Sequence, residues 1–234
     1  MEQRDLVEQY RDDFGKYLDE NGNEMTDMEM LGRINQVFDS IPSQLSKENK
    51  KFQYSILSKN ARGKTHSSAI QWLSDYGLVN ISYNLMNLQL PLKGNRDDSV
   101  FKVYMADTGL FVSMLDRGIY SNILSGDMHT YKGAVFENVI SDILNKNGVR
   151  LYYYHKDSGL EVDFISVHSG KICLIEVKSH TGNTKSAKVV MSDKKNQDVD
   201  LCFKLGDYNV GFMNGILTLP MYMAPLMAAE LSDE

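Results

Sequence analysis

The segment from Tyr131 to Lys178 most constrains what this chain can fold into. Apolar residues recur at helical spacing as far as Asn147, and Gly148 then predicts the end of the helix. Three strand-like runs, separated by short turns that contain glycine, follow at residues 150–155, 161–167 and 171–178. Because turns this short join neighbouring antiparallel strands, the sequence predicts a helix followed by an antiparallel meander.

Charged residues recur at every second position on two of these strands. Glu161 and Asp163 share one face of the second strand, and Glu176 and Lys178 share one face of the third. Burying such charges unpaired would cost several kcal/mol, roughly. Two arrangements remove that cost: mutual ion pairing, or a bound divalent cation such as Mg²⁺, which takes carboxylate oxygens and keeps several waters. The pattern of charges leaves both arrangements open.

The remainder of the second half continues an α/β pattern. A helical segment near residues 186–195 and strands near 199–205 and 210–217 complete the predicted layer. No charge occurs over residues 208–229, but glycines and prolines interrupt that stretch and neither end carries clustered lysine or arginine. We therefore predict a strand, a turn and a short helix there, with no membrane-spanning segment.

Net charge and cysteine content narrow the class of protein. The formal net charge of −6 argues against coating nucleic acid by bulk charge but allows a local basic groove. Cys173 and Cys202 lie in apolar, strand-like runs, and we interpret them as reduced packing residues, not as a disulfide or a metal site. The N-terminus has no apolar stretch typical of a signal peptide, so we predict a cytoplasmic protein with no membrane association.

The first half predicts helices followed by a pair of strands. Asp27 is the predicted N-cap of the second helix, and Pro42 is its predicted end. Helical patterns cover residues 6–18, 27–41, 47–60 and 65–77, and strand patterns cover residues 78–83 and 100–105. Two short helices and then two strands around a polar loop are typical of a winged helix-turn-helix.

A basic segment lies within this predicted winged helix. Six basic residues and one acid, Glu48, occur at positions 47–64, which gives the segment a local net charge of +5. The six are Lys47, Lys50, Lys51, Lys59, Arg62 and Lys64. One interpretation is a face that contacts the phosphates of DNA. The other is a solvated face on a winged helix that docks a protein partner, and the sequence does not decide between them.

The second half also resembles a known superfamily. Asp163, twelve further residues and then Glu176-Val177-Lys178 resembles the PD-(D/E)XK signature of restriction-endonuclease-like nucleases, and Glu137 on the preceding helix matches an additional acid of many members. Further runs are similar to the C-terminal region, of unknown function, of a family of prokaryotic AAA-type ATPases. These runs are residues 104–110, 132–138, 158–164, 175–179 and 219–222.

The resemblance implies an α/β fold with two domains. It implies an N-terminal helical winged-helix domain over residues 1–126, followed by a restriction-endonuclease-like domain with a mixed central sheet over residues 127–234. No G-x-x-x-x-G-K-[ST] phosphate loop occurs in the sequence, and Gly63-Lys64-Thr65 matches only the end of that motif. We therefore predict no ATPase activity for this chain.

The resemblance also implies roles for individual residues. Asp163 and Glu176 would bind one Mg²⁺ or Mn²⁺, and Glu137 would act through a water or complete a second metal site. Lys178 would orient or deprotonate the attacking water, with its pKa depressed by the metal. Glu161 would either support the metal ligands from behind or lie at the edge of the substrate. Lys185 and Lys188 would contact phosphates of the substrate.

Two functions agree with these expectations. The first is a Mg²⁺-dependent DNA endonuclease in which the winged helix supplies affinity for the duplex. The second is a non-catalytic module that binds DNA or a protein partner and uses the nuclease-like fold as a scaffold. Divalent-dependent cleavage distinguishes the first from the second.

Overall fold

A computed structural model describes residues 3–47, 50–59, 61–115, 119, 122, 125, 131–179 and 182–231. By their contacts the residues form two compact units, 1–80 with 103–131, and 81–102 with 132–234. The predicted domain boundary after residue 126 lies in a stretch, 126–130, outside the described residues. The predicted fold class, α/β with a mixed sheet, is confirmed.

The first unit is mainly helical. Its elements are α1 (Gln3–Asp13), β1 (Lys16–Leu18), β2 (Glu24–Thr26), α2 (Met28–Leu45), α3 (Gly63–Asp75) and α4 (Thr108–Ser113). Phe14 packs edge-on against Phe38 and Trp72, with ring centroids 5.2 and 5.6 Å apart. Edge-on aromatic contacts of this kind stabilise the packing of α1 on α2 and α3.

Helix α2 begins as predicted but ends later. The Asp27 side chain accepts the N–H groups of Glu29 and Met30 at 3.0 and 2.9 Å, which confirms it as the N-cap. The prediction that Pro42 ends the helix is wrong, because α2 continues for another turn. Proline removes one N–H donor and crowds the turn before it, but the Pro42 carbonyl still accepts the Ser46 N–H at 3.1 Å and the helix continues.

The predicted helix over residues 47–60 is also wrong. In the part of that segment that the structure describes, only a 3₁₀ turn at Tyr54–Ile56 forms. The Gln44 side chain on α2 accepts the Gln53 N–H at 2.7 Å, and the Phe52 side chain is buried. These two tertiary contacts hold the backbone against α2 in a conformation that is not helical.

Eight strands form one mixed sheet. In chain order they are β3 (Val79–Leu85), β4 (Arg96–Met105), β5 (Tyr152–His155), β6 (Glu161–His168), β7 (Lys171–Val177), β8 (Val199–Gly206), β9 (Gly211–Met213) and β10 (Ile216–Pro220). Their spatial order is β4-β3-β5-β6-β7-β8-β10-β9. The pairs β5–β6 and β6–β7 are antiparallel, which confirms the predicted meander, whereas β3–β5, β7–β8 and β8–β10 are parallel.

Strands β3 and β4 follow α2 and α3 along the chain and lie at one end of this sheet. Of the two short helices in the predicted winged helix, only the second forms among the described residues, as α3, and both strands follow it. The winged helix itself stays a prediction.

The core of the second unit includes one face of the sheet together with α6. The helices of this unit are α5 (Lys132–Lys146), α6 (Lys185–Ser192) and α7 (Ala224–Ala229). Ile172 and Leu174 of β7 are fully buried in a cluster that includes Ala187 and Val190 of α6. Burying apolar side chains between a sheet and a helix stabilises this layer at about 25 cal/mol per Å² of apolar surface removed from water.

Both cysteines are buried free thiols. Burial raises the pKa of the Cys173 thiol to about 12, so this thiol stays protonated at neutral pH. Among the residues that the structure describes, no helix is both long enough and apolar enough to cross a bilayer.

Candidate functional site

The carboxylates of Asp163 and Glu176 lie where β6 and β7 meet. The antiparallel register pairs Phe164 with Ile175, and one further step along both strands places Asp163 beside Glu176. At that point the Asp163 Oδ2 atom accepts the Val177 N–H at 2.8 Å. Antiparallel pairing thus brings together two acids that are thirteen positions apart in the sequence.

A β-bulge in β6 occurs at the same place. Tyr152 of β5 pairs with Ile165 of β6, and Tyr154 of β5 pairs with Val162 of β6. Two steps along β5 therefore correspond to three steps along β6. The extra residue of β6 therefore lies between Val162 and Ile165, in the stretch that contains Asp163. Because a bulge redirects side chains and breaks the regular ladder, it contributes to the position of the Asp163 carboxylate.

Lys178 pairs with both carboxylates. Its Nζ atom forms an ion pair with Oε2 of Glu176 and lies 3.9 Å from Oδ2 of Asp163. Burial favours the neutral amine, but the charges of Asp163 and Glu176 outweigh it and raise the pKa of Lys178. The predicted depression of this pKa depends on a bound metal; with the carboxylates alone, Lys178 stays protonated.

Glu137 brings a further buried carboxylate into the cluster from α5. Burial raises the pKa of Glu176, Lys178 and the Ala187 N–H in the first turn of α6 lower it, and the charge of Glu137 raises it again. The overall direction is upward. Oε1 of Glu176 is buried without a hydrogen-bond partner among the described residues. Glu176 is therefore a buried acid with one oxygen available to a ligand.

The pKa of Asp163 is strongly raised. Burial, and then the charges of Glu137 and Glu176, raise its pKa to about 7, against the opposing effect of Lys178 and Lys102. Buried carboxylates that repel one another are stabilised by protons or by a cation. The cluster is therefore suited to hold positive charge beyond that of its lysines.

The raised pKa of Asp163 predicts a pH-dependent loss of stability in the absence of divalent cations. The Asp163 carboxyl group loses its proton near pH 3.8 in the unfolded chain and near pH 7 in the folded chain. The free energy of unfolding therefore decreases as the pH rises from 3.8 to 7. In EDTA at pH 8, Asp163→Asn is expected to exceed the wild type in free energy of unfolding by roughly 2–4 kcal/mol. Urea denaturation at pH 4 and pH 8 measures this difference, which should nearly vanish at pH 4.

In the Asp163→Asn variant, the carboxamide oxygen of the new side chain can still accept the Val177 N–H, so the substitution removes the charge and keeps the hydrogen bond. Equal unfolding free energies for the two proteins at pH 8 would show that the Asp163 carboxylate carries no burial penalty.

Lys102 is the member of the cluster that the sequence analysis did not identify. Its side chain is 1% exposed, and Nζ lies 2.5 Å from Oε1 of Glu161 and 3.9 Å from Oε2 of Glu137. Nζ also lies 4.7 Å from the ring centroid of Tyr153. The available signal was a single lysine in the apolar run Val100-Phe101-Lys102-Val103-Tyr104 of β4.

The structure places Glu161 beside Lys102 and His155. One of its oxygens pairs with Lys102, and the other lies 3.5 Å from Nδ1 of His155. Glu161 therefore belongs with Lys102 and His155, and not with the Asp163–Glu176 pair.

The predicted phosphate-contacting residues fall into two groups. Lys185 and Lys188 are exposed on α6, whose Ala187 N–H lies close to Glu176, so these two lysines flank the acidic cluster. The other six belong to the first unit, where Lys50 and Lys51 are half-buried. Lys47, Lys59, Arg62 and Lys64 are exposed.

The residues present fit a hard divalent cation held by two carboxylates. Asp163 and Glu176 supply the oxygen ligands that Mg²⁺ prefers, and Oε1 of Glu176 has no competing donor in the described part of the chain. Within the same residues, no group of three or more His, Cys, Asp and Glu side chains is arranged to hold a metal ion. Because Mg²⁺ commonly keeps several waters and binds one or two carboxylates, a pair of carboxylates meets its requirement for protein ligands.

Two family models match the chain. Residues 1–120 match the model described as Domain of unknown function (DUF8612), and residues 132–223 match the model described as Domain of unknown function (DUF4143). The first match covers more than half of the 234 residues. DUF4143 is commonly found with AAA-type ATPases, which agrees with the resemblance in the sequence. No curated protein and no solved structure matches the chain.

Proposed function

The chain belongs to the DUF8612 family of domains of unknown function, and we propose that it is a Mg²⁺-dependent deoxyribonuclease with its site in the second unit. One observation carries the proposal: Asp163, Glu176 and Lys178 converge where β6 and β7 meet, and one Glu176 oxygen is buried without a partner among the described residues. Two carboxylates beside an ammonium group suit a metal-bound phosphate better than a neutral substrate.

Each residue of the site has a distinct role in this proposal. Asp163 and Glu176 would hold the cation, which when bound lowers the pKa of a water and polarises the phosphate. The protonated Lys178 would stabilise negative charge that develops on the phosphate oxygens. Lys185 and Lys188 are exposed at the beginning of α6, where their cationic side chains favour a phosphate.

The basic residues of the first unit would supply affinity for DNA of any sequence. The exposed ones among them are Lys47, Lys59, Arg62 and Lys64. Lysine and arginine contacts to phosphates release counterions and carry no information about base sequence. We therefore infer that binding weakens steeply as salt concentration rises.

The test is metal-dependent cleavage of supercoiled plasmid by the purified chain. We expect nicked and linear products with Mg²⁺ or Mn²⁺, and none in EDTA. Lys178→Met should lower the initial rate by at least about 100-fold, because it removes the positive charge next to the phosphate. Gel densitometry over a time course measures the rates.

Lys171→Met is the matched control. Lys171 begins the same strand, β7, and pairs with Asp200 at 2.6 Å in an exposed ion pair that is expected to contribute little. Its rate should stay within twofold of the wild type. Equal rates for wild type and Lys178→Met would assign the cleavage to a contaminating nuclease and would overturn the proposal.

A non-catalytic binding module is the second candidate, and one observation favours it. Both lysines of the cluster already form ion pairs with its carboxylates, Lys178 with Glu176 and Lys102 with Glu161. Such pairing is the other solution to buried charge, and it needs no metal. For this candidate the plasmid stays intact with every metal, while DNA binding persists in Lys178→Met.

A further inference from the structure

The acidic cluster contains a buried cation that comes from a distant part of the chain. Lys102 lies on β4, 59 positions before Glu161, and its side chain is almost fully buried. Its ammonium group lies 2.5 Å from a Glu161 oxygen and 3.9 Å from a Glu137 oxygen. An ammonium group removed from water in this way is stable only because carboxylates surround it.

The carboxylates divide into two sets around their cations. Glu161 pairs with Lys102, and the Asp163–Glu176 pair contacts Lys178. Glu137 also lies beside Lys102, with its Oε2 atom 3.9 Å from Nζ. An ion that used Glu137 and Glu161 as ligands would therefore have to displace the Lys102 ammonium group.

The formal charges of the cluster point to the same division. Four carboxylates and two lysines leave a charge of −2 when all are ionised. One divalent cation at Asp163 and Glu176 balances that charge. A second would add two positive charges to a cluster already neutral, in a buried site where excess charge is costly.

We propose that Lys102 occupies the place of a second cation, so that this site binds one divalent ion and not two. This inference rests on the proposed metal-dependent function and adds the number of ions and the residue that sets it. Lys102 is thus a positioning residue: it holds Glu137 and Glu161 and leaves Asp163 and Glu176 as the ligands.

The test counts Mn²⁺ ions bound to the full chain. Mn²⁺ is titrated into the wild type, Lys102→Met and Lys156→Met at pH 7.5, and free Mn²⁺ is measured by electron paramagnetic resonance. We expect one ion per wild-type chain and two per Lys102→Met chain, because the substitution removes the ammonium group that lies next to Glu137 and Glu161. Lys156 lies over the Tyr154 ring at 5.3 Å but is exposed, so Lys156→Met should bind one ion.

The double variant Lys102→Met/Glu161→Gln covers the case in which Lys102→Met does not fold. It restores the cluster charge to −2 and removes one of the two carboxylates that a second ion would use. We expect one Mn²⁺ per chain, with affinity within about tenfold of the wild type, a difference of about 1.4 kcal/mol. Loss of Mn²⁺ binding in the double variant would make Lys102 or Glu161 part of the first site and would overturn the inference.

The outcomes separate the two proposals. One ion in both the wild type and Lys102→Met overturns the role of Lys102 and leaves the metal-dependent function standing. Two ions bound to the wild type also overturn the role of Lys102 and leave the metal-dependent function standing. No Mn²⁺ bound by the wild type overturns the metal-dependent function itself.

Discussion

Replacing Glu176 with glutamine is expected to lower Mg²⁺-dependent cleavage of DNA by about 10³-fold and to leave the fold intact. The substitution keeps the size of the side chain and removes the negative charge that would hold the cation. Losing a group that acts directly on the reacting centre typically costs two to three orders of magnitude in rate, or about 3–4 kcal/mol. Initial rates on a fluorescent duplex at saturating Mg²⁺ measure the loss.

The fold should survive because keeping the Glu176 carboxylate ionised in its buried position costs free energy. Burial raises its pKa, and its Oε1 atom has no hydrogen-bond partner in the described part of the protein. A neutral amide removes that burial penalty. The Lys178 ammonium group still has the Asp163 carboxylate 3.9 Å away as an ion-pair partner. The circular dichroism spectrum and the urea midpoint are therefore expected to match the wild type or to shift toward higher stability.

Asp200→Asn is the matched control for this loss. Asp200 lies on the neighbouring strand β8 and pairs with Lys171 at the protein surface. Its cleavage rate should differ from the wild type by less than twofold. If Glu176→Gln retained a tenth or more of the wild-type rate, Glu176 would have no direct role in the reaction.

Replacing Leu174 with alanine is expected to lower the free energy of unfolding by about 3–5 kcal/mol. Leu174 is 0% exposed and lies on β7, which pairs with β6 on one side and β8 on the other. The truncation removes buried methyl groups and leaves a cavity that sheet neighbours cannot fill without breaking their own hydrogen bonds. Urea denaturation monitored by far-ultraviolet circular dichroism measures the change.

Val189→Ala controls for the loss of an aliphatic side chain as such. Val189 is 48% exposed on α6, so its truncation should change stability by less than about 0.5 kcal/mol. A loss below about 1 kcal/mol for Leu174→Ala would contradict the placement of β7 in the centre of the sheet.

The local elements of the second unit follow closely from the sequence. Gly148 adopts a φ of 78° after α5, and Ser169 and Gly170 form the β6–β7 turn with φ values of 53° and 74°. These positions were predicted because short-range sterics decide them: a residue with positive φ ends a helix or closes a tight turn wherever it occurs. The same locality made Asp27 recognisable as a helix N-cap.

The errors arise where a tertiary contact overrides a local preference. Residues 50–59 have an apolar spacing that favours a helix, but buried Phe52 and the Gln44–Gln53 hydrogen bond hold a different backbone. Helix propensity is worth only tenths of a kcal/mol per residue, whereas burying one aromatic side chain is worth about 2–3 kcal/mol. The contact therefore decides the conformation of this segment.

The sequence by itself determined the helix and meander that carry Glu137, Asp163, Glu176 and Lys178, because periodicity and turn residues act over a few positions. Only the tertiary structure decided that Lys102 joins them, since the parallel pairing of Tyr83 with Tyr152 connects segments nearly seventy residues apart. Such pairing depends on which apolar faces pack together, and that is a property of the whole molecule. The net charge of the cluster is therefore set by the tertiary structure.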